Sequence, residues 1–404
     1  MTMVNQSRKS VKQDDYRVLV LTGSCGLVSQ VLTKAILWDP VAGKSQSGIH
    51  VTLLGVFEEL LLQNDNRTMK TLTCGILGAG RIGKLHAENL IGSVAGMDLK
   101  AIADPFLDEE WARKRKIPVA VLDQRILLDD PEIDAILICS PSQEHVPQVI
   151  QAAQAGKHVF CEKPIALNPE DIHRAIAAVK MHGVRMQVGF MRRFDPSFSS
   201  VRNAVVRGEV GDTHLIRVTS RDPEPPPLNY LRDSGGMFLD MSVHDFDMMR
   251  FLSGSEVSEV YARGAVRVDP QIGEVGDIDT GLITLEFENG TLGVIDNSRK
   301  ASYGYDQRVE VFGSKGSVSA ANELADTSRL MTATDVKTAK PHNFFTERYH
   351  AAYRLELEAF AEAVRTDTDP LVGGREGLFS VLIWLAEKES LEKNQPVKVN
   401  YPDA

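Results

Sequence analysis

The segment Phe238–Leu252, FLDMSVHDFDMMRFL, spaces Asp240, His244 and Asp247 at i, i+4 and i+7. On a helix these three share one face. The other positions are largely apolar: Met241, Val243, Phe246, Met248, Met249, Phe251 and Leu252. A polar stripe on an otherwise apolar helix points to a buried polar site. A carboxylate one turn from an imidazole can orient the ring and stabilise its charged form, which raises the histidine pKa. His244 in that setting suits a general base for a hydroxyl proton. The same residues also suit a helix N-cap at Asp240 and a satisfied core histidine at 244.

A second set is Gly78-Ala79-Gly80-Arg81-Ile82-Gly83, which follows an apolar run and opens a helical pattern. Gly78 permits a tight turn, Gly80 lets backbone approach a pyrophosphate, and Gly83 lets helix and strand pack closely. Free N–H groups at the helix start, over Arg81 and Ile82, face the phosphates. Asp104 ends the next strand, 21 residues after Gly83. That is the spacing of an acid that accepts from a ribose 2′-hydroxyl, although Asp104 before Pro105 also suits a plain strand-end turn. A carboxylate there repels a 2′-phosphate and no arginine adjoins it, so the expected cofactor is NAD rather than NADP.

A third set lies at two further strand ends. Cys139-Ser140-Pro141 ends one, with His145 opening the next helix; Phe160-Cys161-Glu162-Lys163-Pro164 ends the other. In an open parallel sheet such ends line the ligand crevice, which makes Ser140, Pro141, His145 and Glu162 candidate cofactor contacts. Lys163 is either a cation beside the nicotinamide or a surface lysine paired with Glu162.

These residues need a scaffold. Strand patterns at Thr71–Leu77, Leu99–Ala103, Ala135–Cys139, His158–Phe160 and Met186–Phe190 alternate with helical stretches such as Val146–Ala155 and Pro169–Met181. That alternation predicts a doubly wound parallel sheet. After about Arg193 the strands follow one another: His214–Ser220, Val257–Val266, Thr280–Phe287, Thr291–Asn297, Arg308–Phe312 and Ser317–Ala320, with turns at Glu288-Asn289-Gly290 and Ser314-Lys315-Gly316. This predicts an α+β domain with an open, mainly antiparallel sheet, closed by helices at about Thr346–Val364 and Gly374–Glu392. The fold class is therefore α/β in two parts. The expected division is an N-terminal extension over 1–70, a dinucleotide domain over 71–193 and a substrate and oligomerisation domain over 194–404.

Composition bounds the partners. The chain has 404 residues, 43% hydrophobic and 25% charged, with net charge −10. So acidic a chain is a poor ligand for nucleic acid, and its apolar runs are too short for a membrane span. Cys25, Cys74, Cys139 and Cys161 show neither a CxxC pair nor a zinc spacing, so no metal is expected and the cysteines read as reduced thiols of a cytoplasmic protein. The first 70 residues carry net +2. Arg17–Leu32 reads as a strand, a glycine turn and a helix, and His50–Gly55 as a second strand. The simpler expectation is that translation starts at Met69.

In combination, GILGAGRIGKLHAENL, CEKP, VGFMRRFD, DMSVHDFD and SYGYD before VFGSKG resemble the glucose–fructose oxidoreductase/inositol dehydrogenase (Gfo/Idh/MocA) family, over about Thr71–Val399. GFMRRFD and YGYD are particularly similar to inositol 2-dehydrogenases. The resemblance implies a Rossmann domain, a second α/β domain whose open sheet mediates dimers or tetramers, and NAD-dependent oxidation of a polyol, myo-inositol to 2-keto-myo-inositol. It implies Lys163, Asp240 and His244 as the catalytic set, with Arg193, Asp247 and Tyr305 as substrate contacts. The related inositol enzymes carry His and Asn around Ser220-Arg221-Asp222, where this chain has SRDPEPPP, which leaves the polyol isomer open. A sugar or scyllo-inositol oxidoreductase and a catalytically silent dinucleotide sensor are the competing expectations; the presence of Lys163, Asp240 and His244 together favours an enzyme.

Overall fold

The computed structural model describes residues 9–13, 16–23, 32–38 and 70–402 except Ser234. Two compact units result, Met1–Met69 and Lys70–Ala404. In the first, strands β1 (Lys9–Gln13), β2 (Tyr16–Gly23) and β3 (Leu32–Trp38) pair antiparallel in that order. The expected strand in Arg17–Leu32 is present as β2. Leu32 opens a third strand paired back onto β2 rather than closing a helix. The rest of that helix and the His50–Gly55 strand lie outside the described residues.

In the second unit, six strands form a parallel sheet: β4 (Leu72–Leu77), β5 (Met97–Ala103), β6 (Val119–Val121), β7 (Ala135–Ile138), β8 (His158–Glu162) and β9 (Met186–Gly189). Their order is β6-β5-β4-β7-β8-β9, so the chain steps one way from β4 and then reverses to the other side. The reversal leaves a crevice at the carboxyl ends of β4 and β7, where such sheets bind ligands. The strands are near-continuous apolar runs because helices cover both faces; Cys74, Ile76, Ile136, Leu137, Val159 and Phe160 have no exposure. The edge strand β6 is three residues long and half exposed, too short to show a period.

The other sheet has seven strands: β10 (Thr213–Arg221), β11 (Val257–Ala265), β12 (Thr280–Phe287), β13 (Leu292–Ser298), β14 (Asp306–Gly313), β15 (Gly316–Ala320) and β18 (Val397–Lys398). A separate ribbon pairs β16 (Arg329–Met331) with β17 (Val336–Thr338). The seven-stranded order is β15-β14-β10-β13-β12-β11-β18, antiparallel except for the β10–β13 pair. Strict alternation in β12, from Gly281 in to Leu282 out and on to Phe287 in, marks one covered and one open face.

The chain then returns to the first sheet. The expected helix Thr346–Val364 breaks at Tyr349 into Phe345–Arg348 and His350–Thr366. The latter buries Leu357, Phe360 and Ala361 with Leu72, Ile76 and Leu99 of β4 and β5. Helix Gly374–Lys393 lies between the sheets: a Cβ on Gly377 would meet Ile165 at 2.6 Å, and Ser390 accepts the Ala262 N–H of β11.

Candidate active site

The glycine turn is built by contact. Gly78 has φ +96°, and a Cβ on it would lie 2.6 Å from the backbone of Cys139 and Ser140 at the end of β7. A Cβ on Gly83 would fall 1.9 Å from the Gly78 carbonyl oxygen. Both glycines therefore serve the packing of the turn itself. Gly80 differs, because a Cβ there would meet nothing within 4 Å. It precedes helix Arg81–Gly92, whose start has no side-chain cap and no acidic residue in its first turn. An open concavity faced by uncapped N–H groups fits a pyrophosphate. Arg81 is exposed and lies over the Phe344 ring at 5.4 Å, and Ile82 is half-buried beside it.

Asp104 ends β5 beside this turn. Its Oδ2 accepts the Ala79 N–H at 2.6 Å and its Oδ1 accepts the Phe106 N–H at 2.7 Å. The carboxylate thus ties the glycine turn to the second strand. Each oxygen has a further lone pair for a ribose hydroxyl. The turn and Asp104 together fit the adenosine diphosphate half of NAD.

At the ends of β7 and β8 the cofactor candidates divide. Ser140 donates to Gln148 Oε1 at 2.7 Å, and Pro141 precedes helix Ser142–Gln154. His145 is buried, with ring nitrogens 2.8 Å from the Pro164 carbonyl and 2.9 Å from the Ser140 carbonyl. Burial lowers its pKa, so the neutral ring donates to one of these two carbonyls through the nitrogen that carries its proton. Glu162 also turns inward: its Oε1 accepts from His86 Nε2 at 2.7 Å, and His86 comes from the helix behind the glycine turn. Glu356, with no exposure and no partner for either carboxyl oxygen among the described residues, completes this interior group. Burial and the nearby Glu162 push the Glu356 carboxyl well above its usual range, which keeps it neutral. Both side chains thus have protein partners, His145 beside the Lys163–Pro164 turn, whose peptide is cis, and Glu162 against His86.

Lys163 emerges at the crevice and donates from Nζ to the main-chain carbonyl of Asp240 at 3.2 Å. The polar stripe behind that contact is not one regular helix. Phe238–Ser242 is a wider π turn and Val243–Ser253 an α-helix. Asp240 does not hydrogen-bond His244. Its Oδ1 accepts the Tyr230 hydroxyl at 2.8 Å and its Oδ2 accepts Arg299 Nη1 at 3.0 Å. This corrects the expected orienting pair, because a fully buried guanidinium and a phenol hold the carboxylate first.

The direction of the His244 shift is corrected as well. The ring is buried, its Nδ1 has no partner, and it stands edge-on to Phe190 at 5.7 Å. Burial, followed by the charges of Lys163 and Arg192, pushes its pKa well below the ordinary histidine range. His244 is therefore held as the neutral imidazole, the form that can accept a proton.

The substrate candidates divide likewise. Arg193 and Asp247 form a bidentate pair at 2.7 and 2.8 Å, Asp247 1% exposed. Arg192 pairs with buried Asp245 next to it. Arg193 and Asp247 thus hold each other, a pairing the spacing of single residues could not foretell. The Tyr305 hydroxyl has no hydrogen-bond partner among the described residues, and burial drives its pKa up, so it stays a donor. Asp222, at the exit of β10, also has no side-chain partner. Burial, then the charge of Asp240, pushes its carboxyl up to about 7. Nothing in the sequence marks Arg299 or Tyr230. Arginine is rarely buried, and Tyr230 sits just past a proline-rich run. Asp222 had one signal, the SRDPEPPP departure.

Comparison with known proteins matches this geometry. Residues 72–190 match the model of an oxidoreductase family with an NAD-binding Rossmann fold, and residues 198–319 match a GFO/IDH/MocA C-terminal domain. An uncharacterized oxidoreductase of Bacillus subtilis, YrbE, is 50% identical over 83% of this chain and 98% of its own length. The myo-inositol 2-dehydrogenase of Thermotoga maritima is 47% identical over 80% of this chain and 98% of its own. The crystal structure of scyllo-inositol dehydrogenase from Lactobacillus casei with bound cofactor NAD(H) and scyllo-inositol superposes with TM-score 0.76 at 33% identity, covering 82% of this chain and 99% of that one. With its glycine turn, its reversed parallel sheet and its second mixed sheet, the chain belongs to the Gfo/Idh/MocA family of NAD-dependent oxidoreductases.

Proposed function

We propose that this NAD-dependent dehydrogenase oxidises one secondary hydroxyl of a cyclic polyol, myo-inositol to 2-keto-myo-inositol. The observation that carries the proposal is that Lys163, at the carboxyl end of a parallel strand, bonds the Asp240 carbonyl one turn before buried His244, whose Nδ1 has no partner. The names of relatives at 40–47% identity supply the substrate class.

His244 accepts the hydroxyl proton. Lys163 hydrogen-bonds the same oxygen and stabilises the negative charge that develops on it. Asp240 fixes Lys163 through its main-chain carbonyl. Bound NAD supplies the hydride acceptor. Asp222 and Tyr305, each with an uncommitted oxygen, are available to the remaining hydroxyls. Gly80, Arg81, Ile82, Asp104, Ser140 and Pro141 hold the cofactor on the turn that Gly78 and Gly83 shape. In this reading residues 71–193 serve the cofactor and 194–404 the substrate. No described helix is long and apolar enough to cross a membrane. The chain acts in the cytoplasm, and the open face of its seven-stranded sheet joins copies into a dimer or tetramer.

The test is NADH formation by the purified chain with NAD and, separately, myo-inositol, scyllo-inositol and glucose. Turnover with myo-inositol supports the proposal, and His244→Ala should then lower it at least about a hundredfold while NAD still binds. Turnover with glucose alone moves the substrate to the aldoses. Silence with every polyol, in protein that binds NAD, overturns the catalytic reading in favour of a dinucleotide sensor.

A further inference from the structure

Asp240 is held at three points. Tyr230 donates to Oδ1, Arg299 donates to Oδ2, and Lys163 donates to the main-chain carbonyl. Arg299 has no exposure and extends its other terminal nitrogen to Asp277 Oδ2 at 3.5 Å. Asp277 accepts the Met237 N–H at 2.9 Å, so one guanidinium braces both the Asp240 carboxylate and the start of the turn that carries it. Tyr230 reaches in from the short helix Leu228–Asp233, beyond the run Pro223–Pro227. Partial burial, then the Asp240 carboxylate, raises the pKa of its phenol, so it stays protonated and acts as the donor.

Resting on the reaction proposed above, we propose that Tyr230 and Arg299 are positioning residues: by occupying both oxygens of the Asp240 carboxylate they keep it off Lys163 and His244. An ammonium has three N–H donors. One goes to the neutral Asp240 carbonyl, and two stay free for the reacting oxygen. A loose Asp240 carboxylate would take those donors in a stronger, charge-assisted bond and compete with substrate. It would also stabilise the imidazolium of His244. The charged groups acting on His244 are Lys163 from the end of β8 and Arg192 from the turn Met191–Phe194, both cationic, with Phe190 against the ring. A carboxylate admitted among them reverses the sign of the local field.

The experiment uses the full chain, NAD and the polyol it oxidises best. Tyr230→Phe removes one hydroxyl from a half-exposed side chain, so the fold is not at risk. Expected is a fall in kcat of about tenfold, an unchanged KM for NAD, and an acid limb of the kcat–pH profile moved to higher pH. Arg299→Lys keeps a cation on Oδ2 and should recover most of what Arg299→Met loses. Should Arg299→Met fail to fold, Tyr230→Phe decides alone. Wild-type kcat with the wild-type acid limb in Tyr230→Phe overturns the proposal. A lower kcat with a lower melting temperature and an unmoved limb also overturns it, since that marks a merely structural contact. A wild-type chain silent toward every polyol overturns the reaction first, before any variant is compared.

Discussion

Two titratable groups at the site are tuned in opposite directions by one cause. Burial disfavours charge, so it lowers the pKa of His244 and raises that of Asp222. For Asp222 this sets a sign that can be measured. Its ordinary value is about 4 and its folded value about 7. Between those values the folded chain keeps a proton that the unfolded chain has released. Stability from this group is therefore present below about pH 4 and lost as pH rises through about 7. Asp222→Asn cannot ionise, so its melting temperature should match the wild type near pH 4 and exceed it by a growing margin up to about pH 7, then level off. Paired thermal melts across that range measure it, and a margin that does not change with pH would sink the assignment. The residue types were legible in the sequence, but their partners were not. The i, i+4 spacing of Asp240 and His244 marks a face, yet Arg299, 59 residues further on, takes the carboxylate. Likewise Arg193 and Asp247 each suit a substrate contact when read singly, and 54 residues of chain separate two halves of one ion pair.

At the scale of elements, periodicity carried most of the fold. β12 matches its expected bounds, and the other expected strands of both sheets lie within about two residues of theirs, because buried parallel strands and half-buried antiparallel ones leave distinct patterns. What escaped was short or irregular: three-residue β6, two-residue β18, the β16–β17 ribbon, the π turn at Phe238–Ser242, and the break at Tyr349. The glycine turn was legible as a motif, but its three glycines are not alike. Gly83→Ala drives a methyl to 1.9 Å from the Gly78 carbonyl and should destabilise the fold by roughly 1–3 kcal/mol, as overpacking does. Gly80→Ala meets nothing within 4 Å and Gly80 has an ordinary φ of −69°. Its fold should be unaffected, whereas NAD affinity should drop at least about tenfold, because the methyl points where the pyrophosphate must lie. Thermal melts without cofactor and NAD titration of each variant separate the two effects. Equal NAD affinity in Gly80→Ala and wild type would remove Gly80 from the phosphate site.

For the whole molecule, the site exists only where distant parts of the chain meet. Lys163 comes from the first sheet and Asp240 and His244 from the helix under the second, so neither sheet alone completes the site. Glu356 and helix Gly374–Lys393 bring the end of the chain back to both. This long-range closure was not legible in the sequence, where the last two segments read only as helices that end the chain. By contrast, every candidate site residue lies within Lys70–Ala404, a unit separate from Met1–Met69. The matched family models begin at residue 72, and relatives covered over 98% of their length align with 80–83% of this chain. A chain beginning at Met69 therefore holds a full relative's length of structure. It should fold with a melting temperature within a few degrees of the full chain and keep kcat and KM for NAD within about twofold. Side-by-side melts and steady-state kinetics check this. Insolubility or a large loss of turnover on truncation would show that strands β1–β3 stabilise the catalytic unit and belong to it.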